Sequence, residues 1–122
     1  MWSPYLKLGF QLMRHMMAQD DVCIVSAVRT PLGSFLGSLS SLSATDLGAI
    51  AIKAALERAQ VPSSVVDEVF MGNVCSGNLG QAPATQAMIR AGLPPCIPCT
   101  GVNKVCVSDM SRIYITLDNH SG

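Results

Sequence analysis

The sequence predicts an α/β fold, and three observations carry that expectation. Short runs rich in β-branched residues recur near 22–28, 68–74 and 99–105. Segments with helical apolar spacing, near 44–60 and 84–92, lie between them. Loops of glycine, proline and serine join each segment to the next, so the period of the apolar pattern changes at every junction. A βαβαβ order implies parallel strands with helices packed on them, because a parallel pair needs a crossover longer than a tight turn. In such sheets reactive side chains gather at the carboxyl ends of the strands.

Val22-Cys23-Ile24-Val25-Ser26-Ala27-Val28 is nearly continuous in apolar character and reads as a buried strand. Pro31 biases Thr30 away from helix, and Gly33, Gly37 and serines 34, 38, 40 and 41 make a loop. Ser43, with Asp46 three residues on, is a capping-box variant that starts a helix running to about Gln60. Leu47, Ile50, Ala51 and Ala54 form its expected apolar stripe, with Lys53, Glu57 and Arg58 on the wet side. Pro62-Ser63-Ser64 begins a turn, and Glu68 to Val74 is the second strand. The loop Ser76 to Pro83 contains glycines, but not at G-x-G-x-x-G spacing, and no Gly-Lys-Ser/Thr follows. It reads as a plain strand-to-helix connection rather than a phosphate cradle. Residues 84–92 form a helix stopped by Gly92 and Pro94, and Cys99 to Val105 is the third strand.

The chain has 122 residues, 49% hydrophobic and 13% charged, with 8 basic and 8 acidic residues and no net charge. That length suits one small domain or part of a larger one. So apolar and weakly charged a chain is expected to offer surface to a missing half or a partner. No basic stripe is present, which argues against nucleic acid as a partner. The apolar runs are interrupted by Lys53 or by glycine and proline, which argues against a membrane-spanning helix. Cysteines stand at 23, 75, 96, 99 and 106, an odd number with no secretory signal before them. A reduced, cytoplasmic setting fits this better than a disulfide framework. Residues 1–20 form an N-terminal extension with Trp2, Tyr5, Phe10 and four of the seven methionines. They read as a weak organelle-targeting segment, which keeps a mitochondrial compartment as the alternative, or as chain upstream of an internal start at Met16 or Met17.

Cys96-Ile97-Pro98-Cys99 is spaced as C-x-x-C. The chemical readings are a redox pair or half of a zinc site; the plain one is two small apolar residues entering a strand. No second C-x-x-C or histidine pair completes a metal site, so no metal is expected. Cys106 follows the third strand directly, in Thr100-Gly101-Val102-Asn103-Lys104-Val105-Cys106-Val107-Ser108. Were a helix to begin at Cys106, unpaired N–H groups and the helix dipole would favour its thiolate. Taken alone, such a cysteine reads more readily as a buried apolar residue.

Four segments in order resemble the start of a thiolase, a coenzyme A–dependent C-acyltransferase. They are Ile24 to Pro31, Gly33 to Leu39, Gly72-Asn73-Val74 with Gly80-Gln81-Ala82-Pro83, and Asn103-Lys104-Val105-Cys106, spanning about residues 21 to 110. The loops are most similar to the acetoacetyl-CoA type, which joins two acetyl-CoA molecules. The resemblance implies a thiolase-like fold with an incomplete N-terminal portion of the first domain at 21–106, followed by a divergent tail at 107–122. It makes Cys106 the acylated nucleophile and assigns no coenzyme A contacts. The substrates it implies are acetyl-CoA or acetoacetyl-CoA, with no tightly bound cofactor. It also implies a homo-oligomer, in which the third strand pairs across a dimer two-fold.

Thiolases use a histidine in a Gly-His-Pro setting and a second cysteine for the proton steps. His15 and His120 lie in no such setting. Asp109 stands where the family pattern has a glycine, and Ile113 to Leu117 alternates like a strand. The expectation is an acyltransferase chain that is inactive at this length. The alternative is a non-catalytic truncated form or interaction fragment that associates with intact thiolase subunits.

Overall fold

The computed structural model describes residues 23–108. Over them the order is α1 (Ala44–Ala59), a single 3₁₀ turn (Ser63–Val65), β1 (Val69–Gly72), α2 (Pro83–Arg90) and β2 (Cys99–Val102). The strands pair in parallel, Val69 opposite Cys99 through Gly72 opposite Val102, with α2 as the crossover.

The capping box forms as the sequence predicts. Ser43 Oγ accepts from Asp46 N–H at 3.2 Å, and Asp46 Oδ2 accepts from Ser43 N–H at 3.0 Å. At the far end Gln60 turns left-handed at φ 55°, and Val61 N–H reaches the Leu56 carbonyl at 3.1 Å. The buried side of α1 is not the expected stripe. Thr45 and Ala49 are buried and Ile52 and Leu56 pack on the core, while Ile50 is half exposed. The stripe turns because α1 lies across α2 through its smallest residues. A Cβ on Gly48 would sit 3.2 Å from the Ala87 Cβ and 3.1 Å from Met71 Cε.

Helix α2 starts at Pro83, whose missing N–H costs nothing there, and buries Ala84, Ala87 and Met88. Met88, Leu93 and Ile97 form the core, with Ile52, Leu56, Val66, Val69, Ala91 and Cys99 around them. Gln86 donates to the Leu79 and Gln81 carbonyls at 2.8 and 2.7 Å, which occupies the acceptors of the glycine-bearing loop with the protein's own amide.

The expected first strand does not form within the described part of 22–28. Ile24 is 83% exposed and Val25 72% exposed, and residues 23–28 pair with neither strand. Their tie to the rest is a 3.3 Å bond from Arg58 to the Ala27 carbonyl. The β-branched run sets an extended preference, but a strand exists only with a partner, and residues 23–28 lie along neither open edge of the two-stranded sheet. The third strand stops at Val102 rather than Val105, because the chain turns there.

Candidate functional site

At the carboxyl end of the sheet, Asn73 N–H donates to the Val102 carbonyl at 3.0 Å and closes the ladder. The chain then leaves through Asn103 into a tight turn. Asn103 Nδ2 donates to the Val74 carbonyl, and its Oδ1 accepts from Val105 N–H, both at 3.2 Å. Val105 adopts φ 51°, in the left-handed region that β-branched residues avoid. Ser108, 5% exposed, donates from Oγ to the Val105 carbonyl at 2.7 Å and accepts from Lys104 N–H at 2.9 Å. Backbone bonds from Val107 to Lys104 (3.1 Å) and Ser108 to Val105 (3.2 Å) complete the turn.

Cys106 stands on this turn, exposed, beyond a strand's carboxyl end as expected. It does not begin a helix: the first helical residue is Ser108. Left-handed Val105 reverses the chain before helical geometry can start, so the thiol precedes the helical residue by two positions. Asp109, the strand-like run at 113–117 and both histidines lie outside the described residues. Asn73 Nδ2, at the same end of the sheet, is buried without a partner among the described residues.

Cys23, Cys75, Cys96 and Cys106 are exposed and Cys99 is half-buried, all as free thiols. Cys96 is exposed on the way into β2, and Cys99, the first residue of β2, packs against the core that contains Ile97. Burial pushes the Cys99 thiol above the ordinary cysteine range; a Thr85 bond opposes this and Glu68 adds to it. No three residues of metal-binding type cluster among the described residues. An open groove of about 420 Å³ lies at the carboxyl ends of both helices, lined by Leu56, Gln60, Val61 and Gly92 among others. Cys106 is not in it, and the thiol's chemistry outweighs the concavity as a marker of the site.

An exposed thiol on a fixed turn is open to an incoming electrophile, and sulfur is both a good nucleophile and a good leaving group. The sequence pointed to Cys106 but not to the clamp around it. The available signals were an asparagine at a strand end, which bonds locally to backbone, and a serine two residues past the thiol.

A family model described as the thiolase N-terminal domain matches residues 22–119. Acetyl-CoA acetyltransferase of Schizosaccharomyces pombe is 65% identical over 99 residues, which are 81% of this chain and 25% of that protein. Mitochondrial acetyl-CoA acetyltransferase of Bos taurus is 57% identical over 100 residues, 82% of this chain and 24% of that protein. A crystal structure of a thiolase from Ascaris suum in complex with coenzyme A superimposes with a TM-score of 0.74 at 46% identity, covering 76% of this chain and 24% of that one. The chain thus spans about a quarter of the length of the relatives it matches.

Proposed function

This chain belongs to the thiolase family through that family's N-terminal domain, and on that premise we propose that it supplies the nucleophile for acyl transfer between coenzyme A thioesters, with Cys106 as the residue acylated. The observation that carries this is the placement of Cys106: exposed, past a parallel strand, on a turn closed by four hydrogen bonds of Asn103 and Ser108. The Cys106 thiolate attacks the carbonyl of acetyl-CoA, the new S–C bond forms and coenzyme A leaves as its thiolate. The enolate of a second acetyl-CoA attacks the acyl-cysteine, forming the C–C bond of acetoacetyl-CoA and releasing the Cys106 thiolate. In the family pattern a Gly-His-Pro histidine takes the proton of the nucleophilic thiol and a second cysteine takes the proton lost on forming the enolate; no Gly-His-Pro occurs in these 122 residues. The coenzyme A in the Ascaris suum structure supports this substrate class.

The free cysteines fit a reducing compartment, the cytoplasm, and the mitochondrial relative keeps that organelle as the alternative. Among the described residues no helix is long and apolar enough to cross a membrane.

The test is a hybrid in which residues 23–108 replace the matching stretch of the Schizosaccharomyces pombe relative. It should form acetoacetyl-CoA, and Cys106→Ala should lower turnover by more than about a thousandfold. Turnover that survives Cys106→Ala would sink the proposal. A second reading, a non-catalytic fragment that associates with intact subunits, is favoured by the exposed Ile24, Val25, Leu32, Phe35 and Leu36. Co-purification with an intact thiolase, with no acyl-cysteine formed, would be its outcome.

A further inference from the structure

Val105 is the most improbable residue in the turn. A β-branched side chain at φ 51° persists only where its surroundings over-determine it. Those surroundings are two side chains, with the backbone bonds of Val107 N–H to Lys104 and Ser108 N–H to Val105 beside them. Asn103 holds the Val105 N–H with one end of its amide and the Val74 carbonyl with the other, so it anchors the turn to the chain leaving β1. Ser108 takes the Val105 carbonyl and the Lys104 N–H, and at 5% exposure it does so with little competition from water. Every polar backbone atom of Val105 is thereby held by Asn103 or Ser108. The next residue is Cys106.

We infer that Asn103 and Ser108 are positioning residues for acyl transfer: together they hold Val105 left-handed and so fix the Cys106 thiol where a thioester carbonyl can reach it. The inference rests on the reading of Cys106 as the acylated nucleophile. It goes further by assigning the presentation of that thiol to two side chains that do not react. Their geometry explains why a strained valine is tolerated. Released from the clamp, Val105 relaxes to an ordinary negative φ, and the turn then points the next side chain elsewhere. The acyl donor still binds, because neither residue is assigned to holding it, but the sulfur is misaimed. Misplacement of a reacting atom by about an ångström is enough to cost about a hundredfold in rate.

The hybrid described above is the test. Asn103→Ala and Ser108→Ala should each lower kcat by about 10–100-fold and leave KM for acetyl-CoA within about twofold. Glycine adopts positive φ freely, so Val105→Gly needs no clamp. Placed on Asn103→Ala or Ser108→Ala, it should return at least about fivefold of the lost kcat with KM still unchanged. Unchanged kcat in both alanine variants, or a loss that Val105→Gly does not relieve, overturns the inference. If Asn103→Ala prevents folding, Ser108→Ala with its Val105→Gly partner decides alone, supported by Asn103→Asp, which keeps the acceptor for Val105 N–H. Turnover retained in Cys106→Ala defeats the underlying reading. Turnover lost in Cys106→Ala but intact in the clamp variants defeats only this inference.

Discussion

Asp46 sits at the junction of both helices. Its carboxylate accepts from Ser43 N–H at 3.0 Å, Ser43 Oγ at 2.5 Å and Arg90 Nη1 at 2.7 Å, and Arg90 also bonds the buried Thr45 hydroxyl. The Ser43 hydroxyl is the main reason its carboxyl lies below the usual aspartate range, followed by the Ser43 backbone and then Arg90. A carboxyl whose pKa is lowered by folding stabilises the fold above its unfolded value, and that contribution is lost as pH falls through the lowered one. Ser43→Ala should therefore lower stability at neutral pH through the lost cap. The gap between the two proteins should narrow below the usual aspartate range. Urea melts showing the same gap at about pH 7 and about pH 3 would contradict this assignment. Cys99 is shifted in the opposite direction. Its raised pKa leaves less thiolate at neutral pH, so iodoacetamide should label it more slowly than Cys96 or Cys106. Peptide mapping that finds Cys99 labelled first would show that its burial is not felt in solution.

At the level of the elements, the contact of α1 on α2 depends on having almost no side chain at position 48. The Gly48 Cβ position is 3.2 Å from the Ala87 Cβ, and Ala87 is fully buried. Gly48→Leu should cost about 1–3 kcal/mol by overpacking. Met88→Ala, which empties the centre of the core, should cost about 2–5 kcal/mol. Denaturant midpoints read both, and a neutral Gly48→Leu would mean that the helices slide freely.

The two helices were legible because their signals are local: a capping box at Ser43 and Asp46, and Gly92 with Pro94 beyond α2. The central parts of β1 and β2 were legible as apolar β-branched runs. The run at 23–28 has the same signal and no ladder, since pairing is a non-local property that residue type does not encode. The stripe of α1 was misplaced because glycine and alanine dominate its contact, and they carry little hydrophobic signal. The site divides in the same way. A thiol after a strand can be read from spacing, whereas a left-handed valine cannot, because nothing about valine announces it.

For the whole molecule, the two-stranded sheet leaves one edge of each strand without a partner among the described residues. Ile24, Val25, Leu32, Phe35 and Leu36 add apolar surface on the segment before α1, with Phe35 92% exposed. A net charge of zero provides little repulsion to keep copies apart. The 122-residue polypeptide by itself should therefore self-associate or bind a thiolase subunit, and should show no measurable acetoacetyl-CoA turnover. Gly101 offers a clean probe of the strand's part in this. It is exposed in β2, and a Cβ there meets nothing within 4 Å, so Gly101→Lys places a charge on the strand without an internal clash. Replacing a glycine inside a strand also removes an entropic cost, so folding should not suffer. A lysine on an open strand opposes pairing with another chain. Sedimentation should show larger species for the native chain that dissociate in Gly101→Lys, with the melting temperature no lower. Association that persists in Gly101→Lys but falls when Phe35 and Leu36 are made serine would move the contact to the segment before α1. A monodisperse native monomer that melts cooperatively would show that the 122 residues cover their own apolar surface.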